Sequence, residues 1–274
     1  MASEAVENYI KAIYALQRPG GMDAADAGIR GAAGAGAAGA AFAGAAGPGG
    51  QVSIGELATA VGVTPGTATT MVKKLAADRL VRYERYGGVE LTVKGERLAL
   101  SVLRRHRLVE TFLVHTLGMD WGEVHDEAER LEHALSDRLL ERLDEFLGRP
   151  AVDPHGDPIP DRDGRTRAPA LVPLPACAPG SGARIHRIAD QSHDFLRFVD
   201  AHGLRPGAQV RVVAVEPGAG TIALQVAGGS GVTMSLAAAG QLLVQRGVTR
   251  GFDAATDRPP RPSSTRPASR RGRR

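Results

Sequence analysis

Apolar residues recur at three- and four-residue steps in SEAVENYIKAIYALQ, at Val6, Tyr9, Ile10, Ile13 and Leu16. That period predicts an amphipathic helix, with Ser3 and Glu7 near its start. The pattern then stops. GIRGAAGAGAAGAAFAGAAGPGG offers almost no side chain to bury, and its glycine density opposes the helix that its alanines favour. It reads as a disordered insertion, with a short helix around 40–46 as the alternative. Periodicity resumes in VSIGELATAVGVTPGTATTMVKKLAADRLV. Ile54 to Ala60 reads as a short helix and Gly62 as a turn. A second helix starts near Thr64, with Pro65 in its first turn and Ala68, Val72 and Leu75 on its apolar face. Two helices joined by a glycine turn form a helix-turn-helix. VRYERYGGVELT then alternates with period two around Gly87-Gly88, which predicts a hairpin. Helix, helix-turn-helix and hairpin in that order describe a winged helix.

Beyond the hairpin, Lys94 to Leu117 predicts a longer helix with Leu98, Val102, Leu103, Val109, Leu113 and Leu117 on one side. A further helix begins in VHDEAERLEH and is predicted to run on through LEHALSDRLLERLDEFL, with Leu131, Leu135, Leu139, Leu143 and Phe146 apolar. Faces this apolar on a small domain need a partner surface, so a symmetric homodimer is expected. Pro150 to Gly182 is rich in Pro and Gly and reads as an ordered turn, DPHGDPIPDRDG, followed by a linker. ARIHRIAD, QVRVVAVE, TIALQVAG, GVTMSLAAAG and LLVQR are short strands around a helix, QSHDFLRFVDAHGL, and predict a small barrel. The fold class is thus mainly α with small β parts. The expected division is 1–98 with an insertion at about 20–50, 99–160, a linker at 161–182, the barrel at 183–247, and a disordered Arg-rich tail at 248–274.

Composition and charge sharpen this picture. No run of eighteen apolar residues and no signal pattern is present, which predicts a soluble, cytoplasmic chain with no membrane partner. Cys177 is the single cysteine, so neither an internal disulfide nor a thiolate metal set can form. The net charge of +4 is misleading. The tail from Val248 holds eight Arg against two Asp, a local +6, so the other 247 residues carry −2. Nucleic-acid binding by the folded part therefore needs a local basic patch. Thr64, Thr67 and Thr70, beside Pro65 and Gly66, are the candidates for groove contact. Lys73 and Lys74 suit the phosphate backbone, and Arg82 and Arg85 lie near the hairpin tip.

The chemistry concentrates in VHDEAERLEH, which holds four carboxylates and two imidazoles in ten residues. On a helix, His125, Glu129, Glu132 and His133 project within roughly 100° of one another. His106 and Glu110, four apart on the preceding helix, also share a face. If the two helices pack, six donors meet, and a divalent cation relieves the repulsion among the carboxylates. A solvated face with Arg130 and Arg138 as partners accounts better for Asp126 and Glu127, and His115 is incidental. Carboxylate and imidazole donors without thiolate suit Mn(II), Fe(II), Co(II) or Zn(II). HExxH, GxSxG and a phosphate-binding glycine loop are all absent, which argues against an enzyme.

These residues resemble the diphtheria-toxin-repressor family of metal-dependent transcriptional repressors, most of all its manganese-responsive actinobacterial branch. ENYIKAIY, the helix-turn-helix and hairpin, RRHRLVETFL, WGEVHDEAERLEHALSDRL and DPHGDPIP carry the resemblance, over about residues 3–18 and 51–247. It implies a winged helix, a helical domain for dimerisation and metal binding, and an SH3-like C-terminal domain. It also implies a repressor of metal-uptake genes whose homodimer binds a palindromic operator when loaded with Mn(II), or with Fe(II) as the alternative. By resemblance Glu129 stands where iron sensors have Cys. Glu132 and His133 complete a primary site with Asn8, and His106, Glu110 and His125 form an ancillary one. Gln191, His193 and Asp194 are weaker candidate donors. Asn8 departs from the Asp of manganese sensors, and Lys11 from a Glu found in some of them. A metal-dependent hydrolase and a constitutive DNA-binding protein with a structural metal are the remaining alternatives.

Overall fold

The computed structural model describes residues 2–18, 50–166 and 169–247. The Gly/Ala insertion, its alternative helix at 40–46 and the Arg-rich tail lie outside the described residues. The first unit consists of α1 (Glu4–Gln17), α2 (Ile54–Ala60), α3 (Pro65–Ala77), β1 (Val81–Glu84) and β2 (Gly88–Leu91). Local chemistry sets the helix starts. Ser53 and Glu56 make a reciprocal capping box at α2, and Thr64 caps α3 ahead of Pro65. β1 and β2 pair antiparallel from Val81–Leu91 to Glu84–Gly88, and Val52 bridges to Val89. Ile10, Ile13, Leu57, Val72, Leu75 and Val89 are fully buried in one core. Each such aliphatic side chain contributes about 1.5–3 kcal/mol. The expected winged helix is present.

The second unit is helical. α4 (Val93–His115) runs as expected to within two residues and packs against α1. The acidic segment, expected as one helix, is two: α5 (Val124–Glu132) and α6 (Asp137–Phe146). Ser136 ends the continuity by capping α6, its side chain accepting from the Leu139 amide. Leu117, Leu139 and Phe146 stay exposed on this unit.

The C-terminal unit departs from the expected small, SH3-like barrel. β3 (Val172–Pro173), β4 (Gly182–Ile188), β5 (Gln209–Glu216), β6 (Thr221–Val226), β7 (Gly231–Ser235) and β8 (Leu242–Arg246) form a six-stranded sheet in the order β3-β8-β4-β5-β6-β7. That sheet is open, with β3 and β7 as unjoined edges. β3 is only two residues long and one of them is Pro, which has no amide to donate. At the other edge, the segment read as one strand, GVTMSLAAAG, turns into α8 (Leu236–Gly240) after Ser235 caps it. Side chains rather than strand pairing therefore complete the core, with Leu196 and Val199 of α7 (His193–Ala201) and Leu174 fully or almost fully buried there.

A tight loop, 153–157, joins this sheet to α4. Asp153 accepts from the amides of His155 and Asp157, and the Ile188 amide donates to the His155 carbonyl. Gly156 has φ +91°, and a Cβ there would lie 1.8 Å from the His186 carbonyl oxygen of β4. Gly156→Ala should therefore lower stability by about 2–4 kcal/mol, through both the left-handed backbone and the backbone clash. Chemical denaturation measures this, and a variant as stable as the parent would contradict so close an approach.

Candidate metal centre and DNA-binding face

Four consecutive residues of α4, Arg104 to Arg107, are all buried, and each reaches a different neighbour. Successive helix positions rotate by about 100°, so a run of four sweeps the whole circumference. Arg104 donates to Asp144 of α6 at 2.9 Å, and Arg105 to Glu7 of α1 at 2.8 Å. His106 contacts Glu132 of α5 through Nδ1 at 2.6 Å and Glu110 through Nε2 at 3.0 Å. Arg107 donates to the Pro158 carbonyl and faces Asp153 and Asp157, each at 3.5 Å.

Around His106 the expected donors come together. His106 Nε2 is 3.1 Å from His125 Nδ1, which is 3.4 Å from Glu110 Oε1. Glu129, Glu132 and His133 offer ligand atoms all within 4.8 Å of one another, and so do His106, His125 and Glu129. α1 enters this cluster through residues not singled out as donors in the sequence. Glu7 Oε2 lies 2.6 Å from His133 Nδ1, and Lys11 is fully buried with its ammonium 2.8 Å from Glu129 and 3.0 Å from Glu132. Asn8 lies between them in sequence, and its Oδ1 is buried without a hydrogen-bond partner.

A third convergent set was missed in the sequence. Glu110, Asp153 and His155 offer ligand atoms within 4.8 Å, and all three residues are buried. His155 Nε2 donates to the Trp121 carbonyl at 2.8 Å, and its other ring nitrogen, Nδ1, lies on the Glu110 side. That Nδ1 and Glu110 Oε2 are 4.0 Å apart and neither has a hydrogen-bond partner. DPHGDPIP reads as a turn because Pro and Gly dominate it. The available signal was two Asp and a His within five residues of such a turn. Gln191, by contrast, donates to Asp157, while His193 and Asp194 are exposed and outside all three sets.

The chemistry of these donors fits a divalent cation. The buried polar atoms Asn8 Oδ1, Glu110 Oε2, His133 Nε2 and His155 Nδ1 lack hydrogen-bond partners, and such groups are normally satisfied. The electrostatics show how these groups balance one another without the ion. Burial alone would push the His106 imidazolium down, but Glu110 and Glu132 outweigh it and raise its pKa to about 10. Burial would raise Glu110, yet the His106 charge and hydrogen bonds hold it well below the usual carboxylate range. Glu132 is lowered too, with His106 and Lys11 overcoming burial, and Glu7 is lowered because His133 and Arg105 do the same. The hydrogen bond to Glu7 raises His133. For Lys11, burial opposes the charge, but Glu132 and Glu129 prevail and its pKa is raised.

On the winged helix, Thr64, Pro65, Gly66, Thr67, Thr70, Lys73, Lys74, Arg82 and Arg85 are all exposed. The Thr64 and Thr67 hydroxyls contact each other at 3.0 Å, and Thr70 donates to the Gly66 carbonyl. Lys73 and Lys74 extend the same face, and at the hairpin tip Arg85 stacks over Tyr86, which is 94% exposed. This is a basic, polar surface on the outside of α3 and the hairpin.

The pKa directions set the pH profile of the metal-free protein. A carboxylate whose folded value is lowered adds stability above its ordinary value of 4.5 and loses it as pH falls through the folded one. A raised histidine contributes fully below 6.5, and for His106 that contribution is gone once pH passes about 10. In chelator, the melting temperature should therefore be highest between about pH 4.5 and 6.5 and fall on both sides. A maximum above pH 8 would contradict the charge assignment.

Comparison with known proteins agrees with this geometry. The N-terminal DNA-binding domain of the iron dependent repressors matches residues 45–89. Their metal binding and dimerisation domain matches residues 92–161, and the FeoA domain matches 172–246. The iron-dependent repressor IdeR of Mycobacterium leprae is 33% identical over 181 residues, 61% of this chain and 77% of that protein. The diphtheria toxin repressor of Corynebacterium jeikeium is 30% identical over 176 residues, covering 56% and 73%. A solved manganese-dependent transcriptional repressor in complex with manganese is 44% identical, with a TM-score of 0.66 over 71% of this chain and 90% of that one. With three family domains matched in order and relatives of this identity spanned over most of their length, the chain belongs to the diphtheria-toxin-repressor family of metal-dependent transcriptional repressors.

Proposed function

We infer that the chain is a manganese-dependent, DNA-binding transcriptional repressor of metal-uptake genes, acting as a homodimer with the divalent metal as corepressor. Its role is regulatory, not catalytic. Among the described residues no helix is long and apolar enough to cross a membrane. The observation that carries the reading is the convergence of Glu129, Glu132 and His133 directly against α1, a helix of the winged unit. In the proposed division 1–98 reads DNA, 99–160 holds metal and the dimer contact, and 183–247 is the C-terminal domain.

Glu129, Glu132 and His133, with Asn8 from α1, are the proposed holders of the primary ion. His106, Glu110 and His125 are the proposed ancillary set, and Asp153 and His155 adjoin it through Glu110. Bound there, the ion supplies a divalent charge that several buried carboxylates share. Because α1 belongs to the DNA-binding unit, drawing it onto α5 orients α3. The dimer then presents two recognition helices to successive major grooves, roughly 34 Å apart. The thermodynamic requirement is that metal binds this arrangement more tightly than the alternatives. Thr64, Thr67 and Thr70 face the groove, and Lys73, Lys74, Arg82 and Arg85 face phosphate.

Hard oxygens dominate the primary set, and Glu129 is the deciding one, since a thiolate there would favour softer, tighter-binding metals. A palindromic duplex selected in vitro with the Mn(II)-loaded protein should bind in Mn(II) and be released by chelator. Glu129→Cys should weaken the Mn(II) response and favour Fe(II), Co(II) or Zn(II), by about tenfold or more in midpoint. Equal DNA affinity with and without metal would rule out a metal-dependent repressor. Anaerobic Fe(II) acting on the parent at lower concentration than Mn(II) would assign it to iron.

A further inference from the structure

Lys11 follows Glu7 by one helical turn, and its side chain is fully buried. Amphipathicity does not require this. A lysine beside an apolar face ordinarily lays its stem on the surface and keeps its ammonium in water. Here the ammonium sits between two carboxylates, 2.8 Å from Glu129 Oε2 and 3.0 Å from Glu132 Oε1. Both residues belong, with His133, to the set whose ligand atoms converge within 4.8 Å. A monovalent cation carried by the chain thus occupies oxygens that the metal reading needs.

Charge gives this placement a consequence. With Lys11 in place the carboxylate pair is already partly neutralised, so the attraction available to an arriving ion is smaller. A divalent ion on the same oxygens would also meet a like charge at very short range, where solvent screens little. The other contacts on Glu132 do not relieve this, because its second oxygen is held by His106 at 2.6 Å. Glu129 is 26% exposed, so the way out for the ammonium lies on its side of the cluster.

We propose that Lys11 is an internal competitor for the divalent cation. It holds Glu129 and Glu132 in the metal-free chain, leaves them when the ion binds, and sets the metal concentration at which the site fills. This rests on the metal-binding role given above to Glu129, Glu132 and His133. In the metal-free chain this ammonium is one contact between α1 and α5, and the ion, with Asn8 of α1 among its proposed holders, replaces it and draws α1 in more firmly.

The test is an equilibrium titration of the purified full-length chain with Mn(II), following the free ion by its electron paramagnetic resonance. Lys11→Met should fill one site at least about tenfold more tightly than the parent, and Lys11→Arg should stay near it. A second readout follows the amine itself. Lys11 should resist a small acylating reagent in chelator and become labelled, by mass spectrometry, once Mn(II) saturates the protein. Unchanged or weaker Mn(II) affinity in Lys11→Met overturns the proposal, and so does equal protection of Lys11 with and without Mn(II). If the parent and Lys11→Met both fail to bind Mn(II), the metal reading falls with it. Should Lys11→Met not fold, Lys11→Gln, which can still donate to the carboxylates, carries the same expectations.

Discussion

Burying carboxylates from three helices at one junction is the constraint on which the rest of this structure depends. Glu7 of α1, Glu110 of α4 and Glu132 of α5 are each almost or wholly removed from solvent, and Glu129 is largely so. Unpaired, such charges would not remain buried and ionised. The chain answers with Lys11, Arg105, His106 and His133, each in contact with one or more of them. The helices are therefore positioned by charge matching as much as by apolar burial. Removing any one of these cations or carboxylates leaves its buried partners less fully compensated.

That constraint is also what makes the junction responsive. Packing of apolar side chains is indifferent to dissolved ions, whereas a set of buried carboxylates takes whichever cation binds best. Protons on His106 and His133 and the ammonium of Lys11 serve in the metal-free state. A divalent ion would replace part of that positive charge and connect donors that are otherwise joined only pairwise. Because α1 packs with α2, α3 and the hairpin in a single core, a change in how α1 is held is carried to the DNA-binding face without a separate relay. The loop 153–157 extends the junction toward the C-terminal sheet. Asp157 pairs with Arg187 of β4 and accepts from Gln191, while Asp153 and His155 reach back to Arg107 and Glu110.

Much of this was legible in the sequence, and where it was not, the reason is physical. Helix starts declare themselves locally, through Ser53 with Glu56 and Thr64 with Pro65, and α2 and α3 lie where those signals put them. His125, Glu129, Glu132 and His133 share a face because helical spacing alone dictates it. The capping role of Ser136 is hidden in the sequence because the apolar period runs unbroken across it from Leu131 to Leu139. Strand count predicts a barrel but says nothing of closure, which depends on whether the outer strands find each other, and here they do not. In the sequence Glu7 marks only a helix start, and Lys11 only a departure from the Glu of some manganese sensors. Their partners lie 126, 118 and 121 residues away, and no local pattern encodes such a meeting.

The central claim is that metal acts on the DNA-binding unit through the hold on α1. Amide hydrogen exchange resolved to α1, in chelator and in saturating Mn(II), tests it most directly. Exchange across Val6 to Ala15 should slow on adding Mn(II), and this slowing should be lost in Glu132→Gln, while the strands β5 and β6 change in neither protein. If α1 exchanges at the same rate with and without Mn(II) in a protein that demonstrably binds the ion, the proposed coupling is wrong.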